Sequence, residues 1–139
     1  MKREEKKDFI KLQAFSLTEV LVVLVIIGIL VLLALPNLMP LITKAKSTEA
    51  KMQLQHIYTL QKNYFYERSI YSSELQSLEY EQETLSSEGG QANYRIEIVE
   101  AGPIGFTAKA TAVADFNGNG IYNVWEIDET KNLREVIKD

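Results

Sequence analysis

The chain has 139 residues, a length that predicts one small domain. Its net charge is −4, which gives no support for nucleic-acid binding through bulk electrostatics. It has no cysteine, so it cannot form a disulfide. No second histidine and no spaced pair of acids lies at helical distance from the single histidine, His56. The sequence also lacks the motifs of common catalytic nucleophiles and of phosphate-binding loops. We therefore expect a surface or packing role for His56 and no enzymatic activity.

A short charged segment precedes a long apolar run at the N-terminus. Residues 1–14 contain five basic and three acidic side chains, and a basic segment beside a first span normally stays in the cytoplasm. From Phe15 to Pro36 the only ionisable residue is Glu19. Residues 15–35 would form about 31 Å of helix, which matches a bilayer core of about 30 Å. The pattern predicts one membrane span, with the C-terminus outside the cytoplasm.

Glu19 separates three interpretations of this run. A glutamate inside a span costs about 2.5–3.5 kcal/mol on insertion scales, so it points to a function. A secretory signal peptide has a shorter apolar core and a small-x-small cleavage site, which does not follow Leu35. A plain membrane anchor fits the length but leaves Glu19 unexplained. Because buried charges are normally paired, we favour a segment whose acid has a partner.

The residues AFSLTEVLVVLVIIGIL at 14–30, followed by Ala-Leu-Pro at 34–36, resemble the processing signal of type IV pilins and pseudopilins. The resemblance implies that a prepilin peptidase cleaves between Ala14 and Phe15 and that the new amino group of Phe15 is N-methylated. It also implies that Glu19 pairs with the N-terminal amine of a neighbouring subunit. The family usually has glycine where this chain has Ala14. The resemblance covers roughly residues 13–71.

This resemblance implies a structural subunit, the major pilin, of a type IV pilus that supports motility, adhesion or DNA uptake. The precursor would lie in the bacterial inner membrane and then polymerise with identical copies, using pilus or secretion assembly machinery, to form a filament on the cell surface. One alternative is a pseudopilin of a type II secretion system, in a periplasmic pseudopilus with a calcium-stabilised C-terminal loop. A second alternative is a calcium-binding domain tethered to the membrane.

Four segments follow from these patterns. Residues 1–14 are a leader that is removed, 15–36 are the membrane and filament-core half of a helix, 37–68 are its amphipathic half, and 69–139 are a loop and a C-terminal sheet. Pro36 ends the apolar run, and together with Pro40 it predicts a kink or local melting within residues 34–41. Beyond it, one helical face contains Ala50, Leu54, Ile57, Tyr64 and Phe65.

The apolar period changes from helical to alternating after Gly89-Gly90. A polar, Ser- and Glu-rich connection with a short helical piece at 73–78 precedes the change. Alternation then predicts strands at 94–99, 106–114 and 121–127, and a weaker one at 133–137. The fold class is α+β: a long N-terminal helix packed on a small antiparallel sheet of three to four strands, which is the pilin fold that the resemblance implies.

A calcium-type loop lies between the second and third predicted strands. The residues DFNGNGIYNVWE at 115–126 fit the pattern D-x-[DN]-x-[DN]-G-x5-E. Calcium binds oxygen ligands, so the candidate donors, in chain order, are Asp115, Asn117, Asn119, the main-chain carbonyl of Ile121, and Glu126. Asn123 and Asp128 are further candidates.

A bare turn is the alternative to a calcium site. The loop contains two Asn-Gly dipeptides, and these form tight hairpin turns without a metal. The resemblance favours calcium, because pseudopilins of type II secretion carry a calcium site in this region. With two certain carboxylates, binding should be weak, with a Kd of about 10⁻⁴ to 10⁻³ M. Such an ion would stabilise the C-terminal region in place of the disulfide that many pilins have.

Overall fold

The computed structural model describes residues 13–139. The chain divides into two compact units, one ending at Pro36 and the other spanning Asn37–Asp139. Within these residues, one long helix and four strands make up the regular structure, with 3₁₀ turns at Gln76–Leu78 and Ser86–Glu88 between them. The bounds are α1 Leu17–Arg68, β1 Tyr94–Ala101, β2 Phe106–Ala112, β3 Val124–Asp128 and β4 Arg134–Ile137. The predicted α+β class, a long helix with a four-stranded antiparallel sheet, is confirmed.

The first half of α1 is apolar and exposed. Its side chains from Leu17 to Leu35 are all exposed, and by length and composition α1 could cross a membrane. Glycine occurs only once in this half, at Gly28, and Leu, Val and Ile supply a continuous apolar surface. The helix continues unbroken through Pro36 and Pro40, so the predicted local melting within residues 34–41 is wrong. A proline removes one backbone donor, and here that loss does not end the helix.

Strands β1 to β4 form an antiparallel meander in chain order. The third predicted strand was expected to start at Ile121, but β3 starts at Val124. Gly120 has φ +83°, a conformation that turns the chain, so Ile121 and Tyr122 belong to the preceding loop. The predicted helical piece at 73–78 is confirmed only as the 3₁₀ turn Gln76–Leu78.

The core of the second unit forms between one face of α1 and one face of the sheet. The predicted face residues Ala50, Leu54 and Ile57 are fully buried there. The inward side of β2 carries alternating small side chains, which leave room for the helix to lie close to the sheet. The buried strand residues are Tyr94, Ile96, Phe106, Ala108, Ala110, Ala112, Val124 and Ile127.

Gln61 is a buried polar residue on the same helical face. Its Nε2 donates to the Ser72 carbonyl at 2.7 Å, and its Oε1 accepts the Ser72 backbone N–H at 2.9 Å. The amide therefore satisfies both backbone groups of Ser72, as a strand neighbour would. Because both partners are buried, these bonds attach the connection after α1 to the helix.

Gln82 covers part of the outer edge of β1. Its Oε1 accepts the Ile96 backbone N–H at 2.8 Å, and its Nε2 donates to the Tyr94 carbonyl at 3.2 Å. Farther along β1 the register shifts between Ile98 and Glu100, which marks a bulge. A side-chain amide and a bulge are both devices that block pairing at a strand edge.

Candidate functional site

The predicted processing junction is exposed and lies before the helix begins. Ala14 and Phe15 are non-helical, and the Phe15 side chain is 83% exposed. Helix α1 starts two residues later, at Leu17. Cleavage between Ala14 and Phe15 would therefore leave every residue of α1 in place. The predicted leader lies outside the described residues except for Gln13 and Ala14.

Glu19 and Ser16 form a reciprocal cap at the start of α1. The Ser16 backbone N–H donates to Glu19 Oε2 at 2.7 Å, and the Glu19 backbone N–H donates to Ser16 Oγ at 3.3 Å. This is the capping-box arrangement of a helix N-terminus, where free N–H groups also favour a negative charge. Glu19 therefore has a partner within its own chain. Its predicted pairing with a neighbour's amine stays a prediction.

The capping box has a readable signal that our sequence interpretation missed. Ser16-Leu17-Thr18-Glu19 fits the spacing S-x-x-E before an apolar run. The acid drew attention to partners outside the chain, and the local partner three residues earlier was not considered. Around it, one shallow cavity is lined by Phe15, Thr18, Glu19, Val22 and Val23.

The loop after β2 gathers three of the predicted calcium donors. Asp115 Oδ1 accepts the backbone N–H of Gly118 at 2.7 Å, and Oδ2 accepts that of Gly120 at 2.6 Å. Asn117 Oδ1 accepts the Asn119 N–H at 2.9 Å. Asn119 Oδ1 in turn accepts the N–H of Ile121 at 2.7 Å. The loop is thus a series of side-chain-to-backbone turns centred on Asp115.

These bonds keep Asp115 ionised. The N–H of Gly120 has the largest effect and lowers the pKa of Asp115 below its usual value. Desolvation comes next and opposes it, and the N–H groups of Gly118, Asn119 and Asn117 add to the lowering. Hydrogen bonds to a carboxylate stabilise its charged form. The loop therefore contains one carboxylate and two amide oxygens, which are oxygen donors of the kind that a hard cation prefers, and each of them already accepts a backbone N–H.

Glu126 does not join this donor set. It lies on β3, where its Oε2 is 3.1 Å from Arg134 Nη2 on β4. It is also one of four residues aligned across the outer face of the sheet with alternating charge: Glu97, Lys109, Glu126 and Arg134. The residues present therefore fit calcium only in part, because the predicted closing carboxylate already has a cation as its partner. Calcium binding stays a prediction.

Both further candidate ligands also have other roles. Asn123 is fully buried: its Oδ1 accepts the Tyr94 hydroxyl and Trp125 Nε1, each at 2.7 Å, and its Nδ2 donates to Glu135 Oε1 and the Ile137 carbonyl. All four of its side-chain hydrogen-bonding positions are used. Asp128 Oδ1 accepts bonds from the residues that follow β3, at 130 and 132. Asn123 therefore has no position left for a metal, and Asp128 Oδ1 is used within its own turn.

Comparison with known proteins concerns the N-terminal segment that contains Ala14, Phe15 and Glu19. Residues 11–35 match a family model described as the prokaryotic N-terminal methylation motif. The N-terminus is of the prepilin type. The prepilin-type motif includes Ala14, Phe15 and Glu19 and stops one residue before Pro36. The predicted resemblance to type IV pilins is confirmed for this part of the chain.

A relative extends the comparison beyond the prepilin-type motif. A stretch of 60 residues is 42% identical to the "Type IV major pilin protein PilA" of Myxococcus xanthus (strain DK1622). That stretch is 43% of this chain and 27% of the relative. The match therefore spans about a quarter of the relative's length.

Proposed function

We propose that this chain is the major structural subunit of a type IV pilus. A prepilin peptidase cleaves it between Ala14 and Phe15, Phe15 is N-methylated, and the subunits polymerise through the first half of α1. The observation that carries the proposal is the apolar surface of this half, which is exposed along its whole length within a prepilin-type N-terminus. Such a surface is expected to be covered by lipid before assembly and by other copies afterwards.

The route through the membrane gives the subunit two environments for the same side chains. As a precursor it is anchored in the inner membrane with its second unit outside the cytoplasm. In the filament, the helices of neighbouring copies replace the lipid around residues 17–35. Contacts of the head-to-tail kind, which do not close into a ring, produce an open helical polymer. In this proposal motility, adhesion and DNA uptake are functions of the filament as a whole.

We propose that assembly depends on the negative charge of Glu19. Because Glu19 also caps α1, a variant that tests this proposal has to remove the charge and keep the cap. Glu19→Ala removes both the charge and the cap, so its failure to assemble would not separate them. Glu19→Gln keeps the cap, because glutamine also serves at this position of a capping box, and removes only the charge. Ser16→Ala is the matched control, because it disturbs the cap and keeps the charge.

The experiment is to produce each variant in pilus-forming cells, confirm processing by mass spectrometry, and count surface filaments by electron microscopy. We expect normal processing in all variants, no filaments from Glu19→Gln, and filaments from Ser16→Ala. Abundant filaments from Glu19→Gln would contradict charge pairing and leave the cap as the role of Glu19.

A pseudopilin of a type II secretion system is the second candidate. The Asp115 loop favours it, since this loop gathers one carboxylate and two amide oxygens. The two candidates differ in abundance and location. Isolated surface filaments in which this chain is the dominant component would support the pilus, and a chain confined to the periplasm and needed for secretion would support the pseudopilin.

A further inference from the structure

The loop between β2 and β3 contains both Asn-Gly dipeptides of the chain, Asn117-Gly118 and Asn119-Gly120. Asparagine followed by glycine is the pair in which a backbone nitrogen most easily attacks the asparagine side chain, because glycine has no Cβ to hinder the approach. Asn119 and both glycines are exposed to water, and Asn117 is half-buried. Both pairs therefore combine a reactive sequence with access to solvent.

The reaction open to such a pair is deamidation. The backbone nitrogen of the glycine attacks the side-chain Cγ of the asparagine and forms a new N–Cγ bond. The Cγ–Nδ2 bond breaks, the proton of the glycine N–H passes to Nδ2 by way of water, and ammonia leaves. Water then adds to a carbonyl carbon of the succinimide ring and opens it to aspartate or isoaspartate. Water is the only co-reactant, so no enzyme and no redox partner is needed.

Asp115 binds the attacking nitrogen of both pairs. Its Oδ1 accepts the Gly118 N–H at 2.7 Å, and its Oδ2 accepts the Gly120 N–H at 2.6 Å. The nitrogen becomes a nucleophile only when it loses its proton, and a carboxylate at this distance opposes that loss because two negative charges would then lie side by side. Each N–H therefore has to leave Asp115 before its succinimide ring can close.

The side chains that would be attacked are also held. Asn117 Oδ1 accepts the Asn119 N–H at 2.9 Å, and Asn119 Oδ1 accepts the Ile121 N–H at 2.7 Å. Ring closure requires the asparagine side chain to turn until Cγ meets the nitrogen of the next residue. These bonds instead fix each side chain to the nitrogen two residues later. Attack therefore has to wait for a local opening of the loop.

We propose that Asn117 and Asn119 are deamidation sites and that Asp115 suppresses the reaction at both of them in the folded chain. One carboxylate holds both attacking N–H groups, so one side chain controls the lifetime of two asparagines. Each completed reaction replaces a neutral amide with a negative charge near Asp115, which it repels. An isoaspartate also places the side-chain methylene in the main chain. Both changes disturb the turns that lead to β3.

The test follows the full chain in detergent micelles at neutral pH and measures deamidation at each asparagine over time by peptide mass spectrometry. The same chain unfolded in guanidinium chloride gives the rate of the unprotected pairs. Asp115→Ser removes the carboxylate. Asp128→Ser is the matched control, because Asp128 also accepts backbone N–H groups of an exposed turn, those of residues 130 and 132, and its loss changes the net charge equally.

We expect deamidation at Asn117 and Asn119 to be at least about tenfold slower in the folded wild-type chain than in guanidinium chloride. Asp115→Ser should raise both rates about tenfold with an unchanged circular dichroism spectrum, whereas Asp128→Ser should keep the wild-type rates. Asp115→Asn has one acceptor oxygen where aspartate has two, so it should accelerate one of the two sites more than the other.

Equal rates in Asp115→Ser and the wild type would overturn the proposal. An equal acceleration in Asp128→Ser would also overturn it, because general loosening of the loops would then control the reaction. If Asp115→Ser does not fold, the folded and unfolded wild-type chains decide together with Asp115→Asn. Equal rates in the folded and unfolded wild type would contradict protection, whereas slow folded rates and unequal rates in Asp115→Asn would support it.

Discussion

The carboxylate of Glu49 holds both polar donors of Asn93, a residue 44 positions later in the chain. Oε1 accepts the Asn93 backbone N–H at 2.8 Å, and Oε2 accepts Asn93 Nδ2 at 2.7 Å. Oε1 also lies 3.3 Å from the backbone nitrogen of Tyr94, the first residue of β1. One helical side chain therefore sets where the first strand begins against α1.

Glu49→Ala should destabilise the second unit because it leaves three donors without this acceptor. Hydrogen bonds to a charged group contribute about 1.5–3 kcal/mol each, and water will replace part of that here, so we expect a loss of about 2 kcal/mol in the free energy of unfolding. Urea unfolding followed by circular dichroism measures it. Glu67→Ala, at an exposed position of the same helix, is the control. Equal losses in both variants would show that Glu49 has no special role.

Asn123 should be the least replaceable polar residue of the sheet. Asn123→Leu keeps the approximate volume and leaves the Tyr94 hydroxyl, Trp125 Nε1 and Glu135 without their partner. Tyr94 is buried and Trp125 is half-buried, whereas Glu135 is exposed and can bind water instead. An unsatisfied buried group costs about 1–3 kcal/mol, so we expect a loss of about 2–4 kcal/mol in the free energy of unfolding. The melting temperature should fall accordingly, while Asn63→Leu at an exposed helical position changes it little. A near-normal melting temperature for Asn123→Leu would contradict this account.

The loop around Asp115 should become less ordered as the pH falls. Its pKa is below the usual 3.8 in the folded chain, so its contribution to stability is fully present above the unfolded value and is lost as the pH falls through the lower folded value. A nuclear magnetic resonance titration of the Asp115 carboxyl should therefore give a midpoint under 3.8. In the Asp115→Asn variant the acid-induced loosening of Gly118 and Gly120 should disappear. A midpoint at or above the usual value would refute the hydrogen-bonded loop.

Calcium, if it binds the Asp115 loop, has to compete with Arg134 for Glu126. We expect millimolar calcium to raise the melting temperature of the full chain slightly over that in chelator, and to raise it more in Arg134→Ser, where Glu126 is released. Magnesium at the same concentration serves as the control cation. Superimposed melting curves with calcium and with chelator, in both proteins, would leave the loop as a bare turn without a metal.

Most of the fold follows from periodicity, and the exceptions have physical reasons. Alternating residues predicted β1 and β2, and spacing predicted the buried face at Ala50, Leu54 and Ile57. The start of β3 was misplaced because Ile121 and Tyr122 are apolar, yet a glycine with positive φ precedes them. Gln61 was missed because a polar residue on an apolar face gives no signal until its partner is known.

Among the candidate sites, too, some features follow from local sequence patterns and others depend on the folded structure. The predictions of the processing junction and of a role for Glu19 rest on local patterns of a few consecutive residues. The pairing of Glu126 with Arg134 could not be predicted, because it depends on the register between β3 and β4. Lys44 and Lys138, about 90 positions apart, likewise line one cavity that only the folded chain forms.

The amide of Gln82 on the edge of β1 bears on how copies of this chain can aggregate. Endless pairing of strands requires two free edges on every copy, one to accept and one to offer a neighbour. In the described sheet, Gln82 and the bulge at Ile98 obstruct the first edge, and β4 alone is left open. Two copies could join through their β4 strands, and there the sheet would end. This arrangement of edges disfavours endless strand pairing between copies of the chain.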